Sequence, residues 1–515
     1  MRHTRLALTA ALALGAVAIS AQRANDPINR ITEADIKRDL FAMAGDAMRG
    51  REGGTLDEMT ASVWVAERAR EAGLQPAGEN GTYFQFFPLE RFRVSASSPV
   101  TIGGKKLVMG KDVVTGAVTL AQVDAPLVFA EARALVDVTE RDKVMMDAKD
   151  KVLMTRYVPP PPAAGAPATS PVGPNAQAAL RTFATNIVQR NTTGVAAIVI
   201  LVPDAEKEQW ERVSVPFTRG TYALDPDGTA EQRTPTRGVP LLYVRESALG
   251  GTPAADARLV ASIFTDSFTY PSVNIIAKVP GRDPKLRDEY VLFSSHQDHD
   301  GERYTVNGDN IWNGADDNAT TSVALLAIGR AMSASPGRRS ALFIWHGSEE
   351  RGLMGSRWYV KHPIVPLKQI VACLNGDMMG RNDPKTAALL GALPPHRNSP
   401  ELVDMAYAAN KAVSQFEIDS SWDDPNHREG WYYRSDHLSY ARSGIPALFF
   451  TTLLHPDYHT PFDNPDRIDI AKLTKMTRWM YATGRTVAET DKAPAVDPAF
   501  KLDRCRDSTG NYCGG

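Results

Sequence analysis

From about residue 273 the chain alternates short apolar runs with longer amphipathic stretches. The apolar runs cover residues 273–279, 290–293, 341–345, 370–374 and 447–450. Each has the length of a buried strand, and the stretches between them read as helices, the last over about 469–487. This alternation predicts an α/β fold, a mixed and largely parallel sheet with helices on both faces.

The earlier half has a different texture. Residues 30–50 predict a helix with Ile36, Leu40 and Met43 on its apolar side, and 59–72 predict another, stopped by Gly73. Turn residues Pro76, Gly78, Asn80 and Gly81 then lead into an aromatic run at 83–87, predicted as a strand. Beyond residue 95 come short Val-rich strands, a Pro/Ala/Gly loop at 159–174, a helix-like stretch at 175–189 and a buried-strand run at 196–202. The expected organisation is a leader at 1–21, the start of the main domain at 22–94, a β-rich insert at 95–268, the catalytic domain at 269–490 and a tail at 491–515.

Composition narrows the classes. At 515 residues two or three domains are expected, and a formal net charge of −2 gives no reason to expect nucleic-acid binding. Arg2 and Arg5 precede an apolar run at 6–19 and small residues, which predicts a secretory leader cut after Ala18 or Ala21 and a secreted or periplasmic protein. That run is short for a membrane span, and no cysteine stands near the cut to carry a lipid anchor. Of the three cysteines, Cys373 sits in an apolar run and reads as an inert buried thiol, while Cys505 and Cys513 could be bridged in the tail. Oligomeric state is not readable.

Ligands in such sheets bind outside the carboxyl ends of the strands, and there the polar residues gather. His296, Asp298, His299 and Asp300 follow the second run; His346, Glu349 and Glu350 follow the third; Asn375 and Asp377 follow the fourth; His455, Asp457 and His459 follow the last. Asp316 and Asp317 precede the apolar helix expected at 322–332, where Asp317 or Asn318 is suited to cap it. Capping needs one such residue, and the surplus points to something electropositive. Imidazoles mixed with carboxylates suit zinc, with cobalt or manganese as competitors.

Five motifs carry a resemblance: His296-x-Asp298-His299, Gly314-Ala-Asp316-Asp317-Asn318-Ala, Glu349-Glu350-x-Gly352, Asn375-x-Asp377-Met378 and Tyr458-His459-Thr460-Pro461. In these the chain resembles the secreted di-zinc aminopeptidases, whose wider family includes glutamate carboxypeptidases and transferrin receptors. The insert resembles a protease-associated domain by position and strand pattern. The resemblance implies the zinc exopeptidase fold, two Zn2+ ions and peptide substrates. It implies Asp316 as the residue shared by both ions, His296 and Asp377 completing one site, and Glu350 and His459 the other. It also implies Glu349 as general base and Asp298 as the carboxylate fixing the tautomer of His296. Ser435, Asp436, His437 and Tyr458 are expected near the site.

The alternatives are a carboxypeptidase, which would need converging arginines from among Arg351, Arg381 and Arg434, a single-zinc cyclase, and a non-catalytic binding protein on the same fold. Asp300, Asp317, Asp436 and Asp457 remain as carboxylates without an assigned role. They favour recognition of a peptide α-ammonium over a carboxylate.

Overall fold

A computed structural model of the chain describes residues 26–159, 179–190, 194–224, 238–254 and 256–502. The expected leader, nearly all of the Pro-rich loop, and Cys505 and Cys513 lie outside the described residues. The fold divides into two compact units. One takes the chain up to Phe87, Pro271–Glu302 and everything from Ile311 on; the other takes Pro88–Tyr270 and Arg303–Asn310.

The first unit is built on strands β1 (Phe84–Val94), β2 (Thr265–Val279), β3 (Tyr290–His296), β4 (Ser340–His346), β5 (Ile370–Gly376), β6 (Thr386–Leu390), β7 (Glu417–Ile418) and β8 (Ala447–Thr451). Their order in the sheet is β7-β6-β8-β5-β3-β4-β2-β1. The centre is parallel, β8 with β5, β5 with β3 and β3 with β4, while β2 and β6 join it antiparallel.

Alternate residues of these strands face opposite cores, because side chains on a strand alternate. Ile275, Val291, Phe293, Phe343, Leu374 and Phe450 enter one core, with α1 (Glu33–Met43), α2 (Leu56–Glu71), α3 (Thr321–Ala334), α5 (Pro400–Ala409) and α7 (Ile470–Glu489) packed there. Ile276, Leu292, Leu342, Ile344 and Cys373 enter the other, under α4 (Met354–Lys361) and α6 (His437–Arg442). Thr32 caps α1 by accepting from Asp35 N–H at 3.2 Å, and Asp469 caps α7 by accepting from Lys472 N–H at 2.9 Å. Gly73, at φ 82°, ends α2 as the sequence predicts.

β6 and β7 are not anticipated from the sequence. Thr386–Leu390 reads Thr-Ala-Ala-Leu-Leu, whose alanines and leucines favour helix; pairing along β8 overrides that preference.

The second unit holds an eight-stranded sheet in the order Lys105–Leu107, Val100–Ile102, Arg258–Ile263, Ala121–Phe129, Val152–Arg156, Ala197–Val202, Leu241–Arg245, Val113–Thr115. The central pairings are parallel and the outer ones antiparallel. Helices Val138–Asp147, Ala179–Arg190 and Lys207–Val213 accompany it, so the unit is more α/β in character than the expected β-rich insert. Its second excursion, Arg303–Asn310, is absent from the sequence-based boundaries. No helix among the described residues is long and apolar enough to cross a membrane.

Candidate metal centre

The carboxyl ends of the parallel strands deliver the polar residues to one place. β3 ends on His296 and continues into His299; β4 is followed by Glu349 and Glu350; β5 is followed by Asp377; the loop after β8 carries His459; and the turn before α3 supplies Asp317. Two groups that could each hold a metal ion result, His296 with Glu349 and Asp377, and His299 with Asp317, Glu350 and His459. All are buried except Glu350 and His459, which are partly so.

Asp317 links the groups. Its Oδ1 lies 3.3 Å from His296 Nε2, and its Oδ2 lies 3.1 Å from His459 Nε2. His296 Nε2 is 3.4 Å from Asp377 Oδ2 and 3.8 Å from Glu349 Oε2, and His459 Nε2 is 3.1 Å from Glu350 Oε2. Donors about 2.0–2.1 Å from a tetrahedral zinc stand roughly 3.3 Å from one another. The separations of 3.1–3.4 Å match, and Glu349 at 3.8 Å stands outside them. His296 Nε2, Asp377 Oδ1 and Glu350 Oε1 are buried without a hydrogen-bond partner. Such orphaned atoms are costly unless another partner takes them up, and a pair of metal ions fits the donor set.

Electrostatics shows how crowded these groups are. Burial opposes charge on His296, but Glu349 and Asp377 hold its pKa well above the usual histidine value. Burial likewise opposes charge on His459, which Glu350 and Asp317 hold high. Burial and Glu350 push the Asp317 carboxyl up, yet His296 and His459 keep it below the normal carboxylate range. Burial drives Glu349 well above its ordinary value.

Two expectations need correction. Asp316 is not among the donors. Its Oδ1 accepts from Gly380 N–H at 2.6 Å, and its Oδ2 lies 3.4 Å from His455 Nε2. Asp317 and Asn318 have non-helical backbone angles, so the turn sends the two adjacent acids in different directions, and neither Asp317 nor Asn318 caps α3. Asp298 also acts otherwise than expected. Its backbone carbonyl is the group 3.1 Å from His296 Nδ1, while its carboxylate stands 3.7 Å away. That carboxylate instead accepts from the N–H groups of Glu349 at 2.9 Å and Glu350 at 3.3 Å. Burial raises it to about 6, against the pull of His296.

Supporting residues hold the loops. Ser435 Oγ donates to Asp377 Oδ2 at 2.7 Å, and Asp463 accepts from the N–H groups of Asp316 and Asp317 at 3.0 and 3.1 Å. Arg51 is fully buried and spreads its guanidinium over four carbonyls, those of Met43, Gln297, Asn313 and Gly314, at 2.7–2.9 Å. The three arginines considered for a carboxylate site are occupied. Arg351 lies 3.1 Å from Asp300 and Arg381 2.6 Å from Asp457; Arg434 lies 3.4 Å from Glu429 and donates to Tyr458 Oη at 3.0 Å.

Asp317 and His299 were not among the ligands the sequence suggests, though both lie in the groups that meet here. Within an Asp-Asp pair nothing local distinguishes the members, because backbone angles decide which one turns inward. His299 carried a weak signal, a second imidazole three residues after the first on the same strand-end loop.

Residues 274–484 match peptidase family M28. A probable leucine aminopeptidase of Arthroderma benhamiae is 27% identical over 218 residues, 40% of this chain and 54% of the relative. Aminopeptidase YwaD of Bacillus subtilis is 27% identical over 188 residues, 35% of this chain and 39% of the relative. The chain thus spans about half or less of the length of these curated relatives. Among solved structures, BSAP, a zinc aminopeptidase from Bacillus subtilis, superposes with a TM-score of 0.54 at 18% identity, over 92% of this chain and 99% of that one.

Proposed function

We propose that this chain, whose residues 274–484 match peptidase family M28, is a two-zinc aminopeptidase that removes N-terminal residues from peptides. The observation that carries the reading is the Asp317 carboxylate, one oxygen turned to His296 and the other to His459. A carboxylate shared between two cations offsets their repulsion, as two-metal hydrolytic sites require.

His296, Asp377 and Asp317 would hold one ion, and Glu350, His459 and Asp317 the other. When bound, the ions supply Lewis acidity toward the scissile carbonyl and make a water nucleophilic at neutral pH. Glu349, beside His296 and kept proton-hungry by burial, takes the proton of that water and passes it to the departing amine. Asp298 sets the direction of Glu349 by holding its N–H. Tyr458 and Ser435 position the His459 loop and Asp377.

Recognition of the amino end is supported by charge. An α-amine has a pKa near 8 and is mostly cationic at neutral pH. Of the four carboxylates without an assigned role, Asp317 lies between the two groups and Asp300 and Asp457 pair with Arg351 and Arg381, which leaves Asp436 to attract it. A carboxypeptidase would need arginines open to a terminal carboxylate, and Arg351, Arg381 and Arg434 each lie against an acidic side chain.

Two further parts belong to the proposal. The Pro88–Tyr270 unit is a protease-associated-type insert, supported by its place in the chain between Phe87 and Pro271 of the first unit. Export is supported by the sequence pattern at 1–21, and the N-terminus of protein recovered outside the cytoplasm would test it.

The deciding experiment is digestion of one peptide in free, N-acetylated and C-amidated forms, followed by mass spectrometry. Acetylation should block trimming and amidation should leave it unchanged. The reverse result would replace the aminopeptidase reading with a carboxypeptidase.

A further inference from the structure

His299 has no part in the reaction just described, yet it lies inside the centre. It sits three residues after His296 with its side chain fully buried. Its Nδ1 is 2.7 Å from Glu350 Oε1 and 4.0 Å from Asp317 Oδ2, and its ring stands edge-on to His459 with centroids 5.4 Å apart. Despite the 2.7 Å approach, neither ring nitrogen of His299 nor Glu350 Oε1 meets hydrogen-bond geometry with any partner. His299, Asp317, Glu350 and His459 each offer one ligand atom, and these atoms all lie within 4.8 Å of one another, close enough for the four to meet at one ion. The ring has room there because residue 314 is glycine; an ideal Cβ at that position would fall 2.3 Å from His299 Cγ. A side chain at 314 would push the imidazole out of place.

We propose that His299 is a fourth protein donor to the ion in the Glu350/His459 half of the centre. This rests on the two-metal reading and adds an asymmetry to it. One ion has four protein donors, His299, His459, Glu350 and Asp317; the other has three, His296, Asp377 and Asp317. Zinc sites closed by four protein donors retain the metal structurally, whereas three-donor sites keep a position open for chemistry. The Glu350/His459 half therefore loads first and releases its ion last. The open position lies at the His296/Asp377 half, beside Glu349.

The test uses full-length protein stripped of metal and reloaded with one equivalent of Zn2+, with X-ray absorption counting imidazoles. Wild type should give two, His299 and His459. His299→Ala and His299→Gln should give one and should weaken binding of the first equivalent by at least tenfold. Gln keeps a hydrogen-bonding group toward Glu350, so a Gln variant that binds the first ion as wild type does would mean His299 only orients Glu350, overturning the proposal. A single imidazole in the wild type at one equivalent overturns it without any variant. Wild-type protein that takes up no zinc at all sinks the two-metal reading itself, which separates the two failures.

Discussion

The Asp298 carboxylate accepts a hydrogen bond from the backbone N–H of Glu349 at 2.9 Å. Through this contact and the neighbouring one to Glu350 N–H, one buried side chain sets the directions of two adjacent glutamates, the proposed base and a proposed ligand. Removing it as Asp298→Ala should free the 349–351 turn. Both kcat and zinc retention should fall, each by about 10–100-fold, the range for partners that orient ligands. Activity assays paired with elemental analysis would show whether both move together; loss of kcat alone would mean that only Glu349 depends on Asp298.

Glu349→Gln should reduce kcat by about 10²–10⁴-fold, the usual contribution of a general base, with two zinc ions retained. Loss of metal from this variant, read by elemental analysis, would make Glu349 a ligand instead.

The two acids of the turn should separate cleanly. Asp317→Ala removes the shared carboxylate and should cost both ions at once. Asp316→Ala should keep both ions and lower the unfolding free energy by about 1–3 kcal/mol, because Gly380 N–H loses its buried acceptor. Denaturant melts and metal content together would distinguish them. A reversed pattern would restore Asp316 as the bridge.

His346 gives a pH dependence independent of the ions. Its Nδ1–H faces Asn274 Oδ1 at 3.2 Å, and its Nε2 accepts from Tyr440 Oη at 3.1 Å. The neutral ring is thus satisfied on both sides, and burial pushes its pKa down to about 3. Between that value and the unfolded value near 6.5 the unfolded chain binds the extra proton, so stability falls as pH drops through this window. The slope from one such group is at most about 1.4 kcal/mol per pH unit. Metal-free His346→Gln protein should show a shallower fall than wild type in denaturant melts between pH 4 and 6. Identical slopes would mean that the ring already titrates normally in the fold.

The sheet and the edge that carries the donors were legible because apolar runs at 290–293, 341–345 and 370–374 fall within β3, β4 and β5. Residues following a parallel strand must emerge on its carboxyl side, so His296, Glu349, Glu350 and Asp377 could be placed from order alone. The orientation of Asp316 against Asp317 was not legible, since it depends on backbone angles in a turn whose shape is set by distant Asp463. The role of Asp298 was hidden for a related reason. Sequence adjacency suggested a partnership with His296, whereas the fold brings Glu349 within reach of the carboxylate. β6 was missed because its composition favours another conformation.

The Arg51 guanidinium reaches carbonyls 246 residues away at Gln297 and 262 residues away at Asn313. On the ribosome this creates a waiting period. At roughly 5–20 residues per second, about 12–50 s pass between the synthesis of Arg51 and that of the loops it will hold. Meanwhile residues 88–270, most of the second unit, are made, so Arg51 must wait for these carbonyls while a long intervening stretch of chain emerges after it. Protease sensitivity around residue 51 should therefore persist in ribosome-bound chains stalled before residue 297 and disappear only once residue 314 has cleared the exit tunnel.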